Sequence, residues 1–251
     1  MILFNYLPVV ILAFLLEVVD SSSGMGYGTI LTPALLIIGF DPLQVVPAVL
    51  ISQLAGDFSA AFFHHEFRNV DFSIGSKHFR IAVMFALSGL IGSIIAVLIA
   101  ANIPKSLINL YIGTLFTFTG LIVLATKNKN YGFSWTRVLC LGSLAAFNKG
   151  ISGGGYGPII TTGQILAGVK AKSAIGIISL AEGVTCFVAV LMYALIGTNI
   201  DWLLSILLSI GVVLSAPLAA HIVRKIENKK IKSIIGISTL LLGLSTILRT
   251  L

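Results

Sequence analysis

Ten apolar runs succeed one another along this chain, at residues 6–20, 26–40, 42–66, 77–101, 104–126, 135–149, 156–169, 170–196, 201–224 and 231–250. At about 1.5 Å of rise per residue, a run near 20 residues crosses a hydrocarbon core of roughly 30 Å. Six runs reach that length. The other four, 6–20, 26–40, 135–149 and 156–169, hold 15 residues or fewer, or ~22 Å of helix. They fall into two pairs, each broken by glycines. Only 10% of the residues are charged and 57% are hydrophobic, too few polar side chains to coat a water-soluble domain. Most of the surface must therefore face lipid.

The formal charge is +7, and the placement of the cations decides what that means. Lys and Arg sit in the short breaks between apolar runs, the pattern of the positive-inside rule rather than of a phosphate-binding stripe. Nucleic acid is not an expected partner; membrane lipid is. Cys140 and Cys186 lie inside apolar runs with no C-x-x-C spacing and read as small buried packing residues. The start of the chain has no basic segment ahead of its first apolar run, which carries Glu17 and Asp20. A cleaved secretory signal is not expected there.

The two glycine breaks are copies of one another. Residues 21–29 read SSSGMGYGT and residues 150–158 read GISGGGYGP. With an offset of 129 positions, residues 21–39 and 150–168 share eight identities, where biased composition would give about one or two. A weaker echo follows, since Gly113 and Gly120 have the same seven-residue separation as Gly236 and Gly243. The chain thus reads as an internal duplication. The first repeat covers 1–130 and the second 131–251, each with a broken pair followed by three long helices.

Charge placement orients the two repeats. If each broken pair were one continuous span, Lys and Arg would divide almost evenly between the two faces. If each is instead a re-entrant hairpin that dips to mid-membrane and returns, thirteen cations fall on one side, leaving only Lys105 and Arg249 opposite. The positive-inside rule favours the hairpins. The expected fold is an all-α integral membrane protein of two inverted repeats, with both termini outside. Inverted repeats with interrupted helices are a recurrent transporter design, with substrate held near the midplane.

Unwound backbone in hydrocarbon leaves amides and carbonyls unpaired, so it survives only where protein or a watery cavity covers it. The candidate substrate-binding residues are therefore Ser21, Ser22, Ser23, Gly24, Met25, Gly26, Tyr27, Gly28 and Thr29 in the first break. In the second they are Asn148, Lys149, Ser152, Gly153, Gly154, Gly155, Tyr156 and Gly157. The half-helix after each break begins with free N–H groups and the positive end of its dipole, which suits an anion. Alternatively the glycines serve only close helix packing. No G-x-x-x-x-G-K-[ST] phosphate loop occurs, and neither a cofactor nor a metal is expected.

Lys149 falls at the tip of the second hairpin, where it either attracts an anionic substrate or pairs with Asp20, its counterpart at the 129 offset. Asp20, Gln53, Asp57 and Glu182 are candidate coupling residues, and Gln53 aligns with Glu182. A carboxylate inside a long helix suits proton coupling or, equally, a hydrogen bond between helices; Glu17 reads the same way. His64, His65 and Glu66 suggest a metal or proton site, but adjacent histidines do not share a helical face, and a solvated interfacial cluster is expected. Pro8, Pro33, Pro47 and Pro217 are expected to kink helices or support the broken segments.

The hairpin motifs SSSGMGYGTILTP and GISGGGYGPIITTGQ, the duplicated halves and a length of 251 residues resemble the TauE/SafE family of membrane permeases over nearly the whole chain. That resemblance implies movement of sulfur-containing anions, such as sulfite or organosulfonates, across the cytoplasmic membrane, in the export direction and with a coupling ion. An uptake permease or channel for thiosulfate or another anion has the same architecture. A membrane assembly or binding protein without transport is a further alternative. An enzyme is not expected, because no nucleophile and base are paired and no His cluster has metal spacing.

Overall fold

The computed structural model describes residues 2–38, 42–100, 105–126, 128, 132–138, 140, 156–195 and 200–250. Among them, nine helices follow in order: α1 (Ile2–Ser23), α2 (Tyr27–Ile38), α3 (Pro42–Glu66), α4 (Lys77–Ala100), α5 (Lys105–Ala125), α6 (Tyr156–Leu166), α7 (Ala171–Leu195), α8 (Trp202–Lys225) and α9 (Asn228–Thr250). The described chain contains no strand. Most of the run at 135–149 lies outside the described residues.

The helices carry their apolar stripes outward. On α1, Leu7, Ile11, Leu15 and Val19 recur every four residues and are half exposed, while Ala13, Glu17 and Asp20 are buried. On α9, Ile234, Ile237, Leu241, Leu244 and Leu248 are exposed and Thr239 is buried. A soluble helix does the reverse. Apolar outside and polar inside is the arrangement of a chain whose solvent is hydrocarbon. Among the described residues, α7, α8 and the Asn228–Leu248 part of α9 are long and apolar enough to cross a membrane.

Glycines set the closest contacts. α5 and α9 run antiparallel, with Gly113 against the carbonyl of Gly243 and Gly120 against that of Gly236. A methyl on Gly120 would stand 2.7 Å from the amide nitrogen of Leu240, so no larger residue fits this seam. α3 and α7 also run antiparallel: Gly183 packs on Asp57, Gly176 on His64, and Gln53 Nε2 donates to Glu182 Oε1 at 3.0 Å. Adding 129 to Pro42 and Glu66 gives 171 and 195, the two ends of α7.

Two apolar clusters form the interior. One joins Val9 and Ala13 of α1, Leu31 and Leu35 of α2, the start of α3, and Leu204, Leu208 and Val212 of α8. α2 thus shares a cluster with the first half of α1. The other is centred on α7 and takes in Met25, Phe85, Phe116 and Ile159.

Two expectations are corrected here. α1 has 22 residues, ~33 Å of helix, and is not a short arm. The sequence places its end where polar residues begin, but those residues continue the helix because they find partners. Ser21 Oγ donates to Glu17 Oε1 at 2.5 Å and Ser23 Oγ to the Val19 carbonyl at 2.8 Å. Cys140 is exposed, whereas Cys186 is buried; in a bilayer protein an apolar run can face lipid rather than core. Pro8, Pro47 and Pro217 lie inside α1, α3 and α8.

Candidate substrate and ion site

The first break is short: only residues 24–26 separate α1 from α2. Gly24 has φ +76° and Gly26 φ +129°, conformations that side-chain-bearing residues rarely adopt. The break lies inside the bundle rather than at its surface, for Ser23 through Tyr27 are all buried. Thr161 Oγ1 of α6 donates to the Gly24 carbonyl at 3.2 Å. Gly157 sits against that same carbonyl, and a methyl placed on it would lie 3.1 Å from Met25 Cα. The start of α6 therefore meets the first break directly.

The predicted residues divide by what they touch. Tyr27 is fully buried; its amide donates to Asp20 Oδ1 at 3.2 Å and its hydroxyl is 2.7 Å from Ser52 Oγ. Met25 packs into the α7 cluster, its Sδ 3.4 Å from Thr239 Oγ1. Ser21 and Ser23 bond within α1 and the turn. Gly28 faces Gln53 Oε1. Ser22 Oγ is buried without a hydrogen-bond partner. Thr29 and Tyr156 lie in the first turns of α2 and α6, and the candidates Asn148, Lys149, Ser152, Gly153, Gly154 and Gly155 fall outside the described residues.

Carboxylates converge beside the break. Glu17 and Asp20 are three apart on α1 and share a face; Asp57 reaches them from α3. One oxygen of each lies within 4.8 Å of the others, and the three residues are 0%, 7% and 3% exposed. Two like charges at that 4.8 Å limit repel by ~3 kcal/mol even at an effective dielectric of about 20. The helices approach closely enough because residue 56 is glycine: a methyl there would stand 3.2 Å from the Glu17 carboxyl and 3.1 Å from Val212 of α8. The sequence names Asp20 and Asp57 as coupling candidates, but names no metal-ligand set. The detectable signal was the i, i+3 pair of acids in an apolar helix.

His64 corrects another expectation. It is fully buried rather than solvated. Its Nε2 lies 3.0 Å from the Ser21 carbonyl, and its Nδ1 3.1 Å from Asn69 Nδ2. Asn69 also donates to the Ala220 carbonyl at 2.8 Å and accepts from Ser173 Oγ at 3.0 Å. His65 and Glu66, at the end of α3, are partly and fully exposed. Beyond them opens a cleft of about 590 Å³ whose walls include Arg68, Lys77, His78, Lys170 and Lys172, with Asp71 the carboxylate among its lining residues. Asp71 is held below the usual carboxylate range by hydrogen bonds from Ser73.

A glycine break inside an apolar bundle, beside buried carboxylates, fits a membrane permease. A family model described as the sulfite exporter TauE/SafE matches residues 9–246. The chain belongs to the TauE/SafE family. It is also similar to a protein of Bacillus subtilis (strain 168) named "Probable membrane transporter protein YtnM", with 24% identity over 250 residues, covering 94% of this chain and 81% of that one. No solved structure gives a significant match. This TauE/SafE protein is a membrane transporter and not an enzyme.

Proposed function

We propose that the protein carries small sulfur-containing anions, sulfite or organosulfonates, outward across the cytoplasmic membrane by alternating access. The observation that carries this reading is the contact of Gly157 and Thr161 with Gly24. It sets the start of α6 against the first break, beside the start of α2, where backbone amides would be available to an oxyanion. The family description names sulfite, which supports the substrate class. In this reading the anion is held by the two breaks, from Ser21 to Thr29 and from Lys149 to Pro158, with Lys149 as its counter-charge.

The inverted-repeat reading draws support from how equivalent helices touch. Gly113 pairs with Gly243 and Gly120 with Gly236. Exchanging each glycine for its sequence counterpart turns one contact into the other, as a two-fold axis requires. Gln53 and Glu182, themselves 129 apart, bond to each other, as equivalent residues on such an axis would. Both helix pairs are antiparallel, which favours an axis in the membrane plane over one along its normal. Rocking of one half against the other would then open the site to each side in turn, with the basic cleft facing the cytoplasm and the termini outside.

Purified protein in liposomes preloaded with labelled sulfite, sulfate, thiosulfate or a short sulfonate tests this. The expected result is saturable efflux of sulfite or a sulfonate, reduced at least about tenfold in Lys149→Ala, the loss of one charged hydrogen bond. Efflux of none of these anions sinks the substrate assignment. Wild-type rates in Lys149→Ala remove the lysine from the site. Flux driven only inward under imposed gradients favours an uptake permease.

A further inference from the structure

The cleft of about 590 Å³ beyond the end of α3 gathers cations from three parts of the chain. Arg68 follows α3, Lys77 opens α4, and Lys170 and Lys172 stand at the start of α7, with Asp71 the one carboxylate among the lining residues. Asp71 Oδ1 already accepts from the amide and the hydroxyl of Ser73, at 2.9 and 2.7 Å. The partners that hold the lysines are uncharged: Lys77 Nζ lies 3.1 Å from the centre of the Phe133 ring, and Lys172 Nζ donates to the Arg224 carbonyl at 2.6 Å. Neither contact neutralises an ammonium. Cations so gathered repel one another, and an anion between them relieves that repulsion. Two imidazoles add neutral donors. His78 and His65 accept the amides of Asp71 and Phe72 at Nδ1, at 3.1 and 3.2 Å, which leaves the ring hydrogen of each on Nε2.

The backbone of Arg68 is an independent observation. Its φ of +60° lies in the left-handed region that side-chain-bearing residues rarely enter. That torsion closes α3: the amide of Arg68 donates to the His65 carbonyl and that of Asn69 to the His64 carbonyl, both at 2.9 Å. α6 ends on the same pair of bonds, from Gly168 to Ile165 at 3.1 Å and from Val169 to Gln164 at 2.9 Å, with Gly168 at φ +87°. Both of these helix ends line the cleft. Glycine is the usual residue at such a position. An arginine there is disfavoured, and closing the helix does not account for it.

We propose that the cleft binds a phosphate-bearing anion, either the headgroup of an anionic phospholipid or a soluble phosphate compound, between Arg68, Lys77, Lys170 and Lys172. Phosphate oxygens are the chemistry common to both sources: the arginine fork pairs two of them at once, and each lysine supplies a point charge. A cleft of this size takes a whole small molecule or headgroup rather than a lone oxyanion. The ends of apolar helices that frame it are where phospholipid headgroups lie. The site is separate from the first break, and its occupancy does not rest on the transporter reading.

The thermal midpoint of purified full-length protein in neutral detergent is titrated with sodium pyrophosphate against sodium chloride at matched ionic strength. A parallel titration adds phosphatidylglycerol against phosphatidylcholine. The expected result is a saturable rise with one phosphate probe and none with its control; pyrophosphate alone identifies a soluble ligand, and phosphatidylglycerol alone a lipid. In Arg68→Gly and in Lys170→Gln the apparent affinity should fall at least about tenfold, as for the loss of a charged hydrogen bond. Arg68→Gly without ligand should unfold no lower than wild type, because glycine suits the torsion, so its loss of binding is not a loss of fold. Lys230→Gln removes a charge outside the cleft lining and should bind as wild type does. The proposal is overturned if wild-type protein responds to neither probe, if both cleft variants respond unchanged, or if Lys230→Gln weakens binding as much as they do. Sulfite that protects through the same residues as strongly as pyrophosphate also overturns it, and assigns the cleft to the transported anion.

Discussion

The two halves of the sequence share a pattern of apolar runs and glycines and divide the charge. At the offset of 129, Glu17 faces Ala146 in the alignment, Asp20 faces Lys149, Asp57 faces Cys186, and Gln53 faces Glu182. The glycines and Tyr of the breaks recur in both halves; the ionisable residues beside them do not. Glycine positions are fixed by torsions and close approach, which any copy of this fold must reproduce. Charges are fixed by what is bound. The first half of the sequence thus carries Glu17, Asp20 and Asp57 where the second carries Ala146, Lys149 and Cys186.

The strongest way to break this comparison is to spoil the part the halves have in common. Gly157→Val would drive a branched side chain into the Gly24 carbonyl and Met25. We expect a loss of ~3 kcal/mol and no measurable flux, read by thermal unfolding in detergent and by the liposome assay. A fully active, equally stable variant would mean that the two breaks do not need to touch.

A smaller effect sharpens the comparison at a place where the halves meet as counterparts. Gln53→Glu would set two carboxylates where an amide now donates at 3.0 Å, at a cost of ~2 kcal/mol. Adding Glu182→Gln restores one amide and one carboxylate with the partners exchanged. The double variant should recover most of the thermal midpoint if the pair straddles a two-fold axis, and no recovery would argue that their surroundings differ.

The least effect is expected at Asp71, on an exposed turn. Its carboxyl is held low by Ser73, so its contribution is present above the ordinary carboxylate range and fades as pH falls through the lowered value. Asp71→Asn should move the midpoint by no more than about 1 °C at neutral pH, and the difference from wild type should vanish in acid.

Helix positions were largely readable from the sequence because each apolar run is bounded by charge or glycine. Pro42–Glu66, Tyr27–Ile38 and Ala171–Leu195 fall within two residues of the runs that predicted them. α1 escaped because polarity was taken as its end, whereas buried hydroxyls and carboxylates continued it. His64 escaped for a related reason: adjacency to His65 and Arg68 suggested water, but neighbours in sequence point to different faces of a helix. Convergence of Asp57 with Glu17 is a tertiary fact. Nothing in the spacing of 40 residues between them says which faces of α1 and α3 meet, although Gly56 beside Asp57 is the kind of small residue that permits it.

The His64 and Asn69 side chains have a mechanical consequence. Through them the carbonyl of Ser21, the end of α3 and the Ala220 carbonyl of α8 are joined in one hydrogen-bonded strut, to which the main-chain carbonyl of Asn69 adds Ser173 of α7. The strut runs from beside the first break to Asn69, a residue of the cleft wall. Displacing Ser21 must either pull that wall along or break one of these buried hydrogen bonds. A shift at the first break is thereby felt at the cleft, as tension on a tie-rod is felt at both anchors.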